Sequence, residues 1–263
     1  MALMHVECFS SVLGMCVPFD AIIPEQAVGQ IGMDSVRSDT YPTLYLLHGM
    51  SDDHTIWQRH TSIERYAAEK GLAVIMPEVG LSWYTNTAYG YRYFDYISRE
   101  LPAICRGFFK GMSAKREDTF AAGNSMGGYG ALKLGLAASG TFGAVASLSG
   151  GLDLADMVKI IPENRWIYNG FLGGNAEKIG EENDLFALAG KLKKSGKPQP
   201  KIYQWCGKSD FLYQQNIRMR DYLRQLGYDL TYEESPGDHA WKYWDEKIQD
   251  VLNWLPIQAN RKK

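Results

Sequence analysis

Residues Gly123-Asn124-Ser125-Met126-Gly127 carry the pattern G-x-S-x-G, between the apolar run Thr119-Phe120-Ala121-Ala122 and the small-residue helix start Gly128-Tyr129-Gly130-Ala131-Leu132. A serine so placed has the setting of a nucleophile elbow. Glycines on both sides let the chain turn from strand to helix so sharply that the serine takes a strained conformation and lifts its hydroxyl clear of the sheet. The turn also sets that hydroxyl at a helix N-terminus, where free amides and the positive dipole end stabilise an oxyanion. Alone, the pattern fits a glycine-rich turn before a buried helix equally well. The chemistry therefore hinges on partners elsewhere in the chain.

Such a serine needs a base, and the base needs an acid to orient it. Residues 201–206 read as a buried strand, and Gly207-Lys208-Ser209-Asp210 puts a carboxylate in the loop beyond its carboxyl end. Residues 229–233 read as the next strand. The loop Ser235-Pro236-Gly237-Asp238-His239 then leads into an amphipathic helix with Trp241, Trp244, Ile248 and Val251. Ser125, Asp210 and His239 thus all follow strand ends, where the groups of a site converge in open α/β sheets. Of the five histidines, His5 is near the terminus, His48 precedes a glycine at an apolar strand end, and His54 and His60 surround a helix start. Asp238 is the rival acid. Neighbours in an extended loop point in different directions, so Asp210 is the expected partner of His239. For the oxyanion hole, the amide of Met126 needs a second donor, and the strand end Leu46-Leu47-His48-Gly49-Met50 offers that of Met50.

The elements that must position these residues are legible as alternating patterns. Residues 43–47, 72–76, 119–122, 144–148, 201–206 and 229–233 predict strands, mostly separated by helix-length segments. This favours a mainly parallel sheet with helices on both faces. Residues 6–23 predict an antiparallel N-terminal hairpin turning near Gly14, and 24–40 a loop. Residues 152–200 are irregular, with Trp166, Tyr168 and Phe171 among polar residues and glycines, before a predicted helix at 184–194. An insertion at this point lies on the catalytic side, so 152–200 is a candidate cap. The whole chain, 263 residues with 45% hydrophobic content, fits a single domain spanning 1–263.

A net charge of −2 without long runs of one sign argues against nucleic acid or an anionic membrane as partner. Cys8, Cys16, Cys105 and Cys206 lack C-x-x-C spacing, so neither a zinc site nor a disulfide framework is expected. No stretch is apolar enough to span a bilayer, and the start lacks a secretory pattern, which predicts a cytoplasmic protein. Trp83 and Tyr84 are candidates for a pocket wall, with core packing as the alternative. Asp52 and Asp53 read as solvated caps rather than a cation site, and the basic stretch 191–201 as a solvated face. Exposed aromatics in a cap would suit a homo-oligomer.

Taken together, the chain resembles the esterase D group of α/β-hydrolases, and within it the small tributyrin esterases. The resemblance spans nearly the whole chain. It rests on Leu46-Leu47-His48-Gly49-Met50 with Trp57, on Ser82-Trp83-Tyr84-Thr85, on Glu100-Leu101-Pro102 and on the elbow through Ala131. It rests also on Cys206-Gly207-Lys208-Ser209-Asp210-Phe211-Leu212-Tyr213 and on Gly237-Asp238-His239-Ala240-Trp241 with Trp244. It implies an α/β-hydrolase fold and a serine carboxylesterase acting on small-molecule esters with short acyl chains, with neither metal nor organic cofactor. Ser125, Asp210 and His239 match the family's triad, and Met50 and Met126 its oxyanion amides. S-formylglutathione hydrolases, feruloyl and acetyl-xylan esterases and mycolyltransferases share that machinery. An S-formylglutathione or feruloyl/acetyl-sugar ester hydrolase, or an acyltransferase, is thus the alternative, and a non-catalytic binding module on the same fold is the remaining one.

Overall fold

Strand β1 (Ala2–Ser10) and strand β2 (Met15–Ile23) form the N-terminal hairpin, paired without a bulge from Ala2 opposite Ile23 to Ser10 opposite Met15. The turn closes at Gly14, whose φ of +70° favours glycine and whose amide donates to the Ser10 carbonyl at 2.8 Å. The computed structural model describes residues 1–25, 39–174 and 179–257. Most of the expected loop at 24–40 lies outside the described residues.

Six further strands complete the sheet: β3 (Thr43–Leu47), β4 (Ala73–Pro77), β5 (Thr119–Asn124), β6 (Ala144–Leu148), β7 (Lys201–Gly207) and β8 (Leu230–Ser235). Their order is β1-β2-β4-β3-β5-β6-β7-β8. β2 meets β4 antiparallel, and every pairing from β4 to β8 is parallel. Strands β3 to β6 are buried along their whole length, which is why their sequences read as unbroken apolar or small-residue runs.

The helices are α1 (Ile56–His60), α2 (Ile63–Lys70), α3 (Tyr93–Asp95), α4 (Leu101–Phe108), α5 (Met126–Ala137), α6 (Leu154–Ile160), α7 (Arg165–Leu172), α8 (Leu185–Lys194), α9 (Tyr213–Gln225) and α10 (Trp241–Trp254). They cover both faces. One apolar core gathers Ile75, Val145, Leu132 of α5 and Leu192 of α8; the other gathers Leu46, Ala122, Ala67 of α2 and Ile248 of α10. The architecture is the expected α/β one, a mainly parallel sheet with an antiparallel hairpin at one edge.

In 152–200, where the sequence reads as irregular, the structure has the short helices α6 and α7 before the expected α8. Asp153 caps α6 by accepting from the Asp156 amide at 3.1 Å, and Asp184 caps α8 by accepting from the Phe186 amide at 2.8 Å. The segment is tied to α5. Tyr129 Oη donates to the Asn183 carbonyl at 2.7 Å and Lys133 Nζ to Asn183 Oδ1 at 2.6 Å. Lys133 has almost no exposure, and burial pulls its ammonium down to about 7.

Candidate active site

β5 ends at Asn124 and α5 begins at Met126, so the turn between them falls on Ser125 alone, at φ +52° and ψ −118°. A β-carbon makes that conformation costly, and the surroundings must hold it. They do so through the Ser125 amide, which donates to the Leu148 carbonyl at 3.0 Å, and the Ser125 carbonyl, which accepts from the Gly151 amide at 3.2 Å. The flanking glycines answer to space rather than to φ. A β-carbon on Gly127 would lie 2.3 Å from the Leu47 carbonyl oxygen, and one on Gly123 would lie 2.6 Å from the Gly127 carbonyl. Gly127→Ala is accordingly expected to push the β3 loop away from the elbow, costing about 1–3 kcal/mol of stability and lowering turnover as well. Thermal unfolding and ester hydrolysis by the purified variant check this, and an unchanged pair of values would refute the contact.

The loop after β3 is fixed by side chains that grip its carbonyls. Trp57 Nε1 donates to the Leu47 carbonyl at 3.0 Å, Tyr84 Oη to that of His48 at 2.8 Å, and His48 Nδ1 to that of Gly49 at 2.8 Å. His48 Nε2 accepts from the Val79 amide at 3.3 Å, which assigns the proton to Nδ1. Full burial holds the His48 pKa below the usual range, so the ring is neutral. Because a trans peptide points its C=O and N–H in opposite directions, pinning the Gly49 oxygen aims the Met50 amide the other way. Met126 begins α5, and its amide has no carbonyl a turn earlier to bond. Among the described residues neither amide donates to a backbone carbonyl. Both are available to a developing oxyanion.

The loops after β7 and β8 are laced together. Ser209 donates its amide to the Gly237 carbonyl and Lys208 its own to the Ser235 carbonyl, each at 2.9 Å. A β-carbon on Gly207 would come within 2.4 Å of the Gly237 oxygen, so the close approach requires glycine there. This brings His239 Nδ1 to 2.9 Å from Asp210 Oδ2. The Asp210 carboxylate is 0% exposed and its Oδ1 accepts from the Leu212 amide at 2.8 Å. With Asp210 accepting, the proton sits on Nδ1 and Nε2 is left as the basic nitrogen. The ring is packed between Phe211 (4.7 Å between centroids) and Trp244 (4.9 Å), and Trp244 Nε1 donates to Ser149 Oγ at 3.2 Å. Asp238 is exposed and makes no hydrogen bond to the ring, among the described residues. Ser125 Oγ likewise makes none to the His239 ring; in serine enzymes that contact is often long until substrate binds.

The structure thus brings together the acid and histidine singled out in the sequence, and sets both, with Ser125, beyond the carboxyl ends of β7, β8 and β5. Sequence reasoning assigned no supporting role to His48, Phe211 or Ser149 and read Tyr84 as a pocket-wall candidate, whereas its hydroxyl holds the His48 carbonyl. Trp83 is buried against Tyr129 and Tyr168, at 5.7 and 5.6 Å, and serves as packing behind Gly151. Asp53 accepts from the Thr55 amide at 2.8 Å, as a cap does, whereas Asp52 is half-buried and desolvation raises its carboxyl.

The Esterase family model, described as "Putative esterase", matches residues 34–255. An acetyl esterase of Caldicellulosiruptor saccharolyticus is 32% identical over 262 residues, covering 97% of this chain and 98% of its own. The chain is also similar to FphF, a fluorophosphonate-binding serine hydrolase of Staphylococcus aureus, at 38% identity and a TM-score of 0.86, with 97% of this chain and 98% of that one covered. An S-formylglutathione hydrolase (FrmB) of the same organism superposes with a TM-score of 0.85 at 37% identity over the same shares.

Proposed function

The chain belongs to the Esterase family and is a serine esterase of the α/β-hydrolase fold; on that premise we propose that it hydrolyses short-chain carboxylic esters through an acyl-enzyme on Ser125, supported by Asp210 and His239. The observation that carries the assignment is the 2.9 Å contact between His239 Nδ1 and the wholly buried Asp210 carboxylate. In this mechanism His239 Nε2 takes the hydroxyl proton as Ser125 Oγ attacks the ester carbonyl carbon. The Met50 and Met126 amides hold the tetrahedral oxyanion, and Asp210 supports the imidazolium. Collapse breaks the bond to the leaving alcohol, which departs with the proton from His239. Water, deprotonated by the same nitrogen, then attacks the acyl carbonyl and frees Ser125 and the acid. Every proton transfer is internal to the triad and water, so the chemistry calls for no metal or organic cofactor.

We extend the proposal to a single domain over 1–263, with 152–200 as a cap whose α6 and α7 stand on the catalytic side and whose far end is held by Tyr129 and Lys133. Free thiols at Cys8, Cys16, Cys105 and Cys206 support a reducing, cytoplasmic setting. Among the described residues no helix is long and apolar enough to cross a membrane. Self-association belongs to the same proposal, and the β1 edge of the sheet supplies its surface.

Acyl-chain preference tests the substrate class. Acetyl to butyryl p-nitrophenyl esters are expected to give the highest kcat/KM and octanoyl the lowest, in keeping with the similarity to an acetyl esterase. A maximum at octanoyl or longer would overturn the short-chain reading. The similarity to an S-formylglutathione hydrolase favours a thioester as second reading. S-formylglutathione, run in the same series, replaces the ester reading if its kcat/KM exceeds that of every ester.

A further inference from the structure

At one edge of the sheet β1 runs for nine residues with, among the described residues, a partner strand on one side only. Every second residue of such a strand turns its amide and carbonyl away from its neighbour, offering a ladder to another strand. Edge strands are ordinarily blunted by proline, a bulge or unpaired charge. β1 has no proline, its register with β2 is unbroken, and it exposes Leu3 (41%), Met4 (37%) and Phe9 (61%). Its only charged or titratable side chains on the outer face are His5 and Glu7.

We propose that β1 pairs antiparallel with β1 of a second copy of this chain, about a two-fold axis at Val6, to give a dimer with a continuous sheet. The sequence is self-complementary in that register. Leu3, His5, Glu7 and Phe9 share one face of the strand, and the two-fold sets Leu3 opposite Phe9 and His5 opposite Glu7, twice over. His5 already bonds Asp20 on β2 through Nδ1 at 2.7 Å, so Glu7 of the second copy approaches its open side. Centring on His5 instead sets two imidazoles opposite each other and Leu3 opposite a carboxylate. Centring on Glu7 sets two carboxylates opposite each other. Like charges directly opposite are unfavourable, so only the Val6 register matches both charge and apolarity.

Shape agrees with charge. Leu3 and Ile22, paired across β1 and β2, form one wall of a groove of about 530 Å³ whose other wall is Gln58 and residues 61–65 around the α1–α2 turn. Phe9 of the second copy falls opposite Leu3, on the face that lines this groove, and occupies part of it. The contact is isologous: each copy gives one phenylalanine and receives one. It lies at the hairpin edge of the sheet, four strands from β5 and its nucleophile.

Sedimentation of the full chain at micromolar concentration is expected to show a dimer. Phe9→Asp, at an exposed position, is expected to sediment as a monomer with unchanged turnover. In a Cys8→Ser, Cys16→Ser background, Val6→Cys should oxidise to a disulfide-linked dimer, because directly opposed residues in such a ladder are about 4.5–5.5 Å apart at Cα. Leu3→Cys in the same background should not link to itself, since the register separates the two copies of residue 3 by roughly 20 Å. A monomeric native chain, a dimer that survives Phe9→Asp, or self-linking at residue 3 rather than residue 6 overturns the proposal. If the edge instead receives a strand of another protein, the purified chain sediments as a monomer, which is the first of those outcomes.

Discussion

Ser125→Ala is expected to abolish ester hydrolysis, by on the order of 10⁶-fold in turnover, while the protein remains folded. The hydroxyl oxygen is the only heavy atom lost. What holds residue 125 at φ +52° is its amide on Leu148 and its carbonyl on Gly151, and alanine keeps both contacts and carries the same backbone strain as serine. The Met50 and Met126 amides, proposed as the oxyanion hole, belong to the backbone and stay in position, so substrate is still expected to bind. What remains is the residual rate that binding and the oxyanion hole supply without a nucleophile. Turnover on a short-chain ester, the melting temperature, and labelling by a fluorophosphonate probe measure the three claims separately. Turnover near that of the native chain would end the case for an acyl-enzyme at this serine. Lost turnover with a lowered melting temperature would show instead that Ser125 is structural.

The elbow was legible because its requirements are local. Glycines two residues either side of the serine face a backbone approach of 2.3–2.6 Å that would exclude any β-carbon, and a local constraint leaves a local pattern. The central strands were legible because burial on both faces forces continuous apolar runs. Boundaries were less so. The strand read at 72–76 is Ala73–Pro77, because Leu72, although buried, donates its amide to the Ala67 carbonyl and completes the end of α2. β5, β7 and β8 extend one or two residues past the expected ends through Asn124, Gly207 and Ser235, which carry no strand signal of their own. β1 begins at Ala2 rather than near Val6, since an edge strand with exposed Leu3, Met4 and His5 lacks the alternation that a half-buried strand shows. Helices α6 and α7 escaped notice because seven or eight residues give too few turns for a periodic stripe.

The supporting roles of residues around the site were illegible for a different reason. Tyr84 and Trp57 act on backbone carbonyls 36 and 10 residues away, and His48 on its own neighbour. A carbonyl has no sequence identity, so nothing at residues 47–49 announces that a tyrosine or a tryptophan will hold it. The same blindness made Trp83 ambiguous: an aromatic residue near a site reads alike whether it lines a pocket or packs behind it, and here it packs against Tyr129 and Tyr168.

The acid is where sequence left two carboxylates in contention, and where substitution separates them best. Asp210→Asn is expected to leave the protein folded and to lower turnover by about 10⁴-fold, by analogy with the serine-protease triad. The asparagine fits the same space and its oxygen can still accept from the Leu212 amide, which anchors Oδ1 at 2.8 Å. Its nitrogen then faces His239 Nδ1 and donates to it, which forces the ring proton onto Nε2, the atom that must be free to take the proton of Ser125. The loss thus comes from the wrong tautomer as well as from missing charge beside the imidazolium. Asp238→Asn is expected to cost about tenfold or less, because an exposed carboxylate acts on the ring only through screened electrostatics. The two variants, compared at neutral pH on one short-chain ester, give a ratio independent of enzyme concentration once each is titrated for fold by its melting transition. Raising the salt concentration adds a second discriminant: it should erase most of the Asp238 effect and little of the Asp210 effect, since a wholly buried carboxylate is shielded from mobile ions. A larger loss from Asp238→Asn would transfer the orienting role to the exposed acid and require its loop to close over His239 during turnover.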